Sequence, residues 1–224
     1  MAETLFTIPL WADIVAVAVG SVQGGLFAAG FRDRKLDLLG IAIIGTGTGL
    51  GGGLLRDLML NVPPVAFQTN WYLLVAVLAA LLGMLLNRLF TRVAIAIAIL
   101  DALTIGLFAA IGTAKALDLG LPAIPAVFIG VLGGVGGGIV RDLLLNLPIA
   151  VMHVGSLYAV AAVGGCTVMV IAVGLGVELT VAAIVCVVLT TLVRILAMRF
   201  GWSLPEQREL SRLPRLPRWP RNVR

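Results

Sequence analysis

The sequence predicts an all-α membrane protein: seven transmembrane helices, arranged as two inverted three-helix repeats plus a seventh helix. Three observations predict it. Of the 224 residues, 60% are hydrophobic and 12% are charged, and the mean hydropathy is +1.11. A soluble domain carries about a quarter charged residues, so a single core cannot hide this much apolar surface. Seven apolar stretches recur along the chain, each close to the ~20 residues that a bilayer span requires. Finally, the stretch Gly45–Pro63 returns at Gly130–Pro148, an offset of 85 residues, with 11 of 19 positions identical.

The seven spans are expected at 10–29, 38–60, 66–86, 93–114, 121–144, 151–173 and 178–198. A β-barrel is excluded, because its strands alternate polar and apolar at period two. Residues 1–10 lack the basic stretch of a signal peptide, so the first span is expected to serve as its own insertion signal. Cys166 and Cys186 fall inside apolar spans and read as small apolar filler.

Lysine and arginine in short loops set orientation. Arg32, Arg34 and Lys35 follow the first span, and Arg88 and Arg92 follow the third. Arg199, Arg208, Arg212, Arg215, Arg218, Arg221 and Arg224 follow the seventh. With seven spans, all of these lie on one side. The opposite side has no Lys or Arg in residues 1–9 and only Glu178 between the last two spans. The N-terminus is therefore expected outside and the C-terminus in the cytoplasm, with Trp11 and Trp71 at the outer interface and Trp202 at the inner one. The net charge of +5 comes mostly from the tail. It speaks for topology and for contact with anionic lipid, not for nucleic acid. In "RLPRLPRWPR" at 212–221, arginine recurs every third residue. In a polyproline II conformation that spacing lines one ridge; a solvated tail is the other reading.

Arg, Asp, Asn and Pro match between the two copies as well as Gly, and the match extends outward: Asp13 and Gly24 have the spacing of Asp101 and Gly112. "GLFAA" occurs at 25–29 and 106–110, at a different offset, and Gln68 aligns with His153. Three helices per copy is an odd number, so the second copy inserts upside down. The chain divides into a first repeat at 10–90, an inverted repeat at 93–174, the seventh helix at 178–198 and a basic cytoplasmic tail at 199–224. The second and fifth helices are symmetry mates expected to face each other.

Each copy writes three consecutive glycines, Gly51, Gly52, Gly53 and Gly136, Gly137, Gly138, followed by Arg56-Asp57 and Arg141-Asp142. Glycine costs about 1 kcal/mol relative to alanine inside a helix. The rows Gly45/Gly49/Gly53 and Gly130/Gly134/Gly138 suit close helix packing. The consecutive triplets are expected to kink the backbone, and a kinked backbone is tolerated in a membrane only against protein or a water-filled cavity. A charge at membrane depth normally faces the bundle interior or a cavity. Arg56, Asp57, Arg141 and Asp142 are accordingly expected at a pore vestibule, with snorkelling from a helix end as the alternative. Asp13 and Asp101 occupy equivalent places in the first and fourth spans, either as structural groups that pair with a basic group or cap a broken helix end, or as groups facing ions. Lys115, near the end of the fourth span, either snorkels or faces a cavity. His153 is alone, too little for a metal site. The chain has no Cys/His cluster, no Gly-x-Ser-x-Gly and no Gly-Lys-Ser/Thr after the glycine run, so neither an enzyme nor a cofactor nor a metal is expected.

Two three-helix modules bearing "GGGLLRD" and "GGGIVRD", led by Asp13 and Asp101 and followed by a seventh helix, resemble the prokaryotic TRIC (trimeric intracellular cation) channels, a module also described as the UPF0126 or "glycine transporter" domain. The resemblance covers about residues 10–198. It implies a homotrimer with a pore in each subunit, formed around the second and fifth helices kinked at their glycine triplets, and permeant monovalent cations, chiefly K⁺ with Na⁺ also possible. The Lys-Glu-Val motif of animal members is missing, so their phosphoinositide dependence is not implied. A secondary transporter of glycine or another small amino acid is the alternative, since inverted repeats suit it equally; a sealed scaffold is a third reading.

The charge bias yields a direct prediction. Green fluorescent protein fused after Arg224 will fluoresce, and alkaline phosphatase at the same place will be inactive. The reverse pattern would overturn the orientation.

Overall fold

The computed structural model describes residues 9–31, 36–87, 93–152 and 157–203. The basic loop residues Arg32, Arg34, Lys35, Arg88 and Arg92, His153 and the tail beyond Ser203 lie outside the described residues. Within them are seven α-helices: α1 (Leu10–Gly30), α2 (Leu38–Met59), α3 (Asn70–Asn87), α4 (Val93–Asp118), α5 (Ala123–Leu144), α6 (Tyr158–Gly174) and α7 (Leu179–Phe200). Six are long and apolar enough to cross a membrane; α6 is a shorter apolar helix of 17 residues.

The third and sixth helices begin later than the apolar runs suggest. A single 3₁₀ turn precedes each, at Val65–Phe67 and Ala150–Met152. The cause is a duplicated helix stop. After α2, Asn61 takes a left-handed φ of 53°, and after α5, Asn146 takes 54°. The Val62 N–H donates to the Asp57 carbonyl (3.0 Å) and the Asn61 N–H to that of Leu58 (3.1 Å). Leu147 to Asp142 (2.8 Å) and Asn146 to Leu143 (3.1 Å) repeat the pattern. This is the Schellman geometry, with Asn at the left-handed position and Pro beyond it. It gives the repeated Asn-x-Pro its physical meaning. In the other direction, α4 runs past residue 114 to Asp118, so Lys115 lies within the helix.

The glycine triplets, where a kink is expected, do not interrupt either helix. Both α2 and α5 run uninterrupted, and Gly51, Gly52, Gly136, Gly137 and Gly138 are buried against protein. The glycines instead bring two antiparallel helices into contact closer than any Cβ allows. A Cβ on Gly52 would strike the Gly133 carbonyl, and one on Gly137 the Thr48 carbonyl. At Gly136 a Cβ would lie 2.9 Å from the Gly52 Cα, and at Gly51 it would lie 2.8 Å from Val140. Shifted by 85 residues, Gly52 and Thr48 become Gly137 and Gly133, so the crossing obeys the pseudo-two-fold. In a bilayer, small residues at the crossing replace the hydrophobic effect as the source of helix association.

The i, i+4 glycine rows pack as expected. Gly45 and Gly49 seat α2 on α1 around Ser21 and Val17; Gly130 and Gly134 seat α5 on α4 around Ala109 and Ile105. Gly24 meets Thr48 and Gly45, and Gly112 meets Gly130. The structural register is therefore that of Asp13 with Asp101, not that of the "GLFAA" match. The halves differ in their third helix. α3 lies on α1, with Gly25 against the Ala80 carbonyl and Gly83 against that of Val22. In the second half α7 occupies much of that position. A Cβ on Gly106 of α4 would lie 2.9 Å from the Val187 carbonyl of α7, and one on Gly165 of α6 would strike Thr190 and press on Cys186 of α7. Leu74, Leu78, Leu82 and Leu85 of α3 and Ile184, Val188 and Leu192 of α7 are exposed, as lipid-facing side chains are.

Gly52→Val and Gly137→Val will each push α2 and α5 apart and cost about 1–3 kcal/mol or more, as overpacking does. Gly164→Ala, where an added Cβ meets nothing within 4 Å, will be neutral or stabilising by up to about 1 kcal/mol. Thermal unfolding in detergent separates the two cases.

Candidate functional site

Two charge clusters lie at opposite ends of the bundle. The first joins the start of α1, the ends of α2 and α4 and the start of α3. Arg56 is 1% exposed and Asp57 1% exposed, which rules out snorkelling. The Arg56 Nε donates to Asp57 Oδ1 at 2.7 Å, and Lys115 Nζ donates to the same oxygen at 2.8 Å. Asp57 Oδ2 accepts the Val65 N–H at 3.0 Å, so this carboxylate also pins the returning chain at its 3₁₀ turn. Arg56 Nη1 reaches Asp13 Oδ1 at 3.5 Å, and the Tyr72 hydroxyl donates to Asp13 Oδ2 at 2.9 Å. Lys115 thus turns inward to an ion pair, its side chain 20% exposed.

The second cluster joins Asp101, more than two turns into α4, and the start of α6 with the ends of α5 and α7. Arg141 grips Asp142 Oδ1 through Nε (3.0 Å) and Nη2 (2.8 Å), and Asp142 Oδ2 accepts the Ala150 N–H at 2.9 Å. Asp101 is surrounded by Arg141 Nη1 at 3.6 Å, Arg194 Nη2 at 3.5 Å, the Tyr158 hydroxyl at 3.3 Å and Gln23 Nε2 at 3.3 Å. The Arg141 guanidinium covers the Phe27 ring at 4.2 Å, and that of Arg194 covers the Tyr158 ring at 4.6 Å.

These charges are held this way because an unpaired ion at membrane depth is expensive and the pairs compensate one another. The first two glycines of each triplet form the helix crossing. At the third, a Cβ on Gly138 would lie 2.5 Å from the Tyr158 hydroxyl, whereas one on Gly53 would make only ordinary contact, 3.8 Å from Arg56 Nη2. Formally each cluster balances two carboxylates against two cations. In each, one carboxylate (Asp57, Asp142) is tightly tied to its neighbouring arginine and to a loop N–H, and the other (Asp13, Asp101) is held by its arginine only at 3.5–3.6 Å. Beside the first cluster lies a cavity of about 10 Å³ lined by Asp13, Arg56, Asp57, Gly53, Tyr72 and Phe108, the space of about one water.

The structure brings Asp13, Arg56, Asp57 and Lys115 together at one end and Asp101, Arg141 and Asp142 at the other; the triplets join the two ends rather than forming a separate site. Sequence reasoning passed over Tyr72, Tyr158, Gln23 and Arg194. The tyrosines stand 86 residues apart at the starts of the third helix of each copy, and Arg194 is a charge inside the seventh apolar run; both signals were present. Among the described residues no group of His, Cys, Asp and Glu has the arrangement of a metal site.

A family model described as "Glycine transporter" matches the chain twice, at residues 10–88 and 98–174, once for each repeat. The inner membrane protein YadS of Escherichia coli K12, a UPF0126 protein, is 34% identical over 198 residues, covering 87% of this chain and 94% of that one. A UPF0126 membrane protein of Deinococcus radiodurans is 36% identical over 157 residues, 69% of this chain and 72% of that one. Among solved structures, a TRIC cation channel superposes with a TM-score of 0.77 at 33% identity, over 90% of this chain and 98% of its own. The TRIC trimeric intracellular cation channel orthologue from Rhodobacter sphaeroides superposes with a TM-score of 0.79 at 26% identity, over 85% and 97%.

Asp57→Ala will strand Arg56 and Lys115 and free the Val65 N–H; removing one partner of a buried pair costs about 3–5 kcal/mol. Asp142→Ala will behave alike. Lys115→Met, which removes the most exposed member of the first cluster, will cost less. Melting temperatures of the purified variants check the order.

Proposed function

We propose that this chain, which belongs to the glycine transporter (UPF0126) family of membrane proteins, is a cation channel with an ion pathway inside each protomer. The observation that carries the reading is the likeness to TRIC cation channels along nearly the whole chain. The two charge clusters agree with it. A buried carboxylate, Asp13 or Asp101, stands at each end of the bundle, where a cation entering from either side meets an acidic group in a low-dielectric setting. The pathway runs between the clusters along the α2·α5 crossing. With Gly52 against the Gly133 carbonyl that crossing is shut, so conduction requires the two helices to separate there.

We infer the finer features from the family resemblance and, for the orientation and the tail, from the bias of Lys and Arg along the chain. Potassium is the main permeant ion, and sodium also passes. Three copies assemble, as the name of the Rhodobacter protein says of that channel. The cluster around Arg56 faces outward and that around Arg141 faces the cytoplasm, and the arginine-rich tail lies against anionic headgroups. The neighbours being channels, we assign the chain no catalytic role.

The family's description favours a second reading, a secondary transporter of glycine, which an inverted-repeat bundle could also support. Planar bilayers under a KCl gradient, paired with liposome uptake of labelled glycine, distinguish the two. Discrete steps reversing near the potassium equilibrium potential are expected. Silent bilayers with saturable glycine uptake would replace the channel with the transporter.

A further inference from the structure

The pseudo-two-fold matches Asp13 with Asp101, Arg56 with Arg141, Asp57 with Asp142, Tyr72 with Tyr158 and the Val65 N–H with the Ala150 N–H. It does not match the second cation of each cluster. Lys115 belongs to α4, and its counterpart in α1 by the Asp13–Asp101 spacing is Phe27, which lies beneath Arg141. Arg194 belongs to α7, which has no counterpart. The two cations also go to different acids. Lys115 binds the helix-end carboxylate Asp57 at 2.8 Å, whereas Arg194 approaches the deep carboxylate Asp101 at 3.5 Å.

Asp13 and Asp101 therefore end in unlike surroundings. Asp101 faces two guanidiniums, a phenol and an amide donor, the last from Gln23. Among the described residues, Asp13 has one hydrogen bond, from Tyr72, and one guanidinium at 3.5 Å whose Nε is already committed to Asp57. Its Oδ1 is buried without a hydrogen-bond partner among the described residues, and so is the facing Arg56 Nη1. The Asp13 side chain is 10% exposed and lines the one-water cavity. A buried carboxylate oxygen whose nearest donor is a guanidinium at 3.5 Å that makes no hydrogen bond to it, at the edge of a space that admits a small ligand, is under-satisfied in a way its mate is not.

We propose that Asp13, and not its symmetry mate Asp101, is the cation-binding carboxylate of this protein. The ligand is a monovalent cation of the size of K⁺, which Asp13 Oδ1 takes up as Arg56 withdraws toward Asp57. The proposal rests on the cation-pathway reading above and names the side of the pathway at which the ion is held.

Potassium-dependent melting tests it without requiring conduction. Purified wild-type protein is heated in KCl and in choline chloride at equal ionic strength. Potassium is expected to raise the wild-type melting temperature by a few degrees, as a ligand of the folded state does. Asp13→Asn, which keeps an acceptor for Tyr72, is expected to abolish the difference; Asp13→Glu is expected to keep it, and so is Asp101→Asn. No potassium-specific shift in the wild type, an undiminished shift in Asp13→Asn, or loss of the shift in Asp101→Asn with retention in Asp13→Asn would each overturn the proposal. In bilayers Asp13→Asn is expected to lower unitary potassium conductance several-fold; conductance equal to wild type would count against the site. Silent wild-type bilayers would overturn the channel reading alone, while the melting series would still decide for or against Asp13.

Discussion

The distance between α2 and α5 is the constraint on which the other contacts depend. Four glycines, Gly51, Gly52, Gly136 and Gly137, and the carbonyls of Thr48 and Gly133 set it. Lipid offers no hydrophobic drive for helices to associate, so the two halves are held by backbone approach and by the polar groups that this approach brings within reach. The same helices carry Arg56-Asp57 and Arg141-Asp142 one turn further on. The crossing thus fixes where four buried charges stand, and those charges fix where α1 and α4 can bring Asp13, Asp101 and Lys115. Glycine is the sole residue type that allows this, and the loss of about 1 kcal/mol in helix propensity at each position is offset by packing that no side chain could make.

Electrostatics and chain direction are joined at one residue per repeat. Asp57 receives an arginine, a lysine and the Val65 N–H; Asp142 receives an arginine and the Ala150 N–H. A single carboxylate thereby neutralises a buried cation and ties down the first turn after a Schellman stop. That double duty accounts for the strict spacing from Arg-Asp to Asn-x-Pro in both copies. It also separates the helix-end acids, whose work is to hold the fold, from Asp13 and Asp101, whose hold on their arginines is looser.

The spans and the duplication were legible because hydropathy and self-similarity are local properties of the chain. So were the glycine rows at i, i+4. The packing role of the triplets was not legible, because helix propensity alone makes three glycines a weak point, whereas the carbonyls of Thr48 and Gly133 that occupy the vacated space come from a helix 85 residues away in register. The partners of the charges were illegible for the same reason: nothing local to Lys115 points to Asp57, or to Asp101 from Gln23. The Asn61 and Asn146 stops were written in plain view, as Asn followed by x-Pro after an Arg-Asp helix end. Their consequence, a 3₁₀ turn that delays α3 and α6, needed the hydrogen bonds to be seen.

The sequence distance between partners has a consequence for synthesis. Asp57 leaves the ribosome 58 residues before Lys115, and at roughly 5–20 residues per second that is a wait of about 3–12 s. Asp101 waits longer still for Arg194, in the last helix. During those intervals each acid-bearing segment has reached the insertion machinery with its charges incompletely matched. The adjacent arginine of each Arg-Asp dipeptide is present from the start, so Asp57 and Asp142 are never without a cation next to them in the chain. Lys115 and Arg194 then add to pairs that already exist rather than replacing them: Arg56 keeps Asp57 at 2.7 Å and Arg141 keeps Asp142 at 2.8 Å in the finished fold.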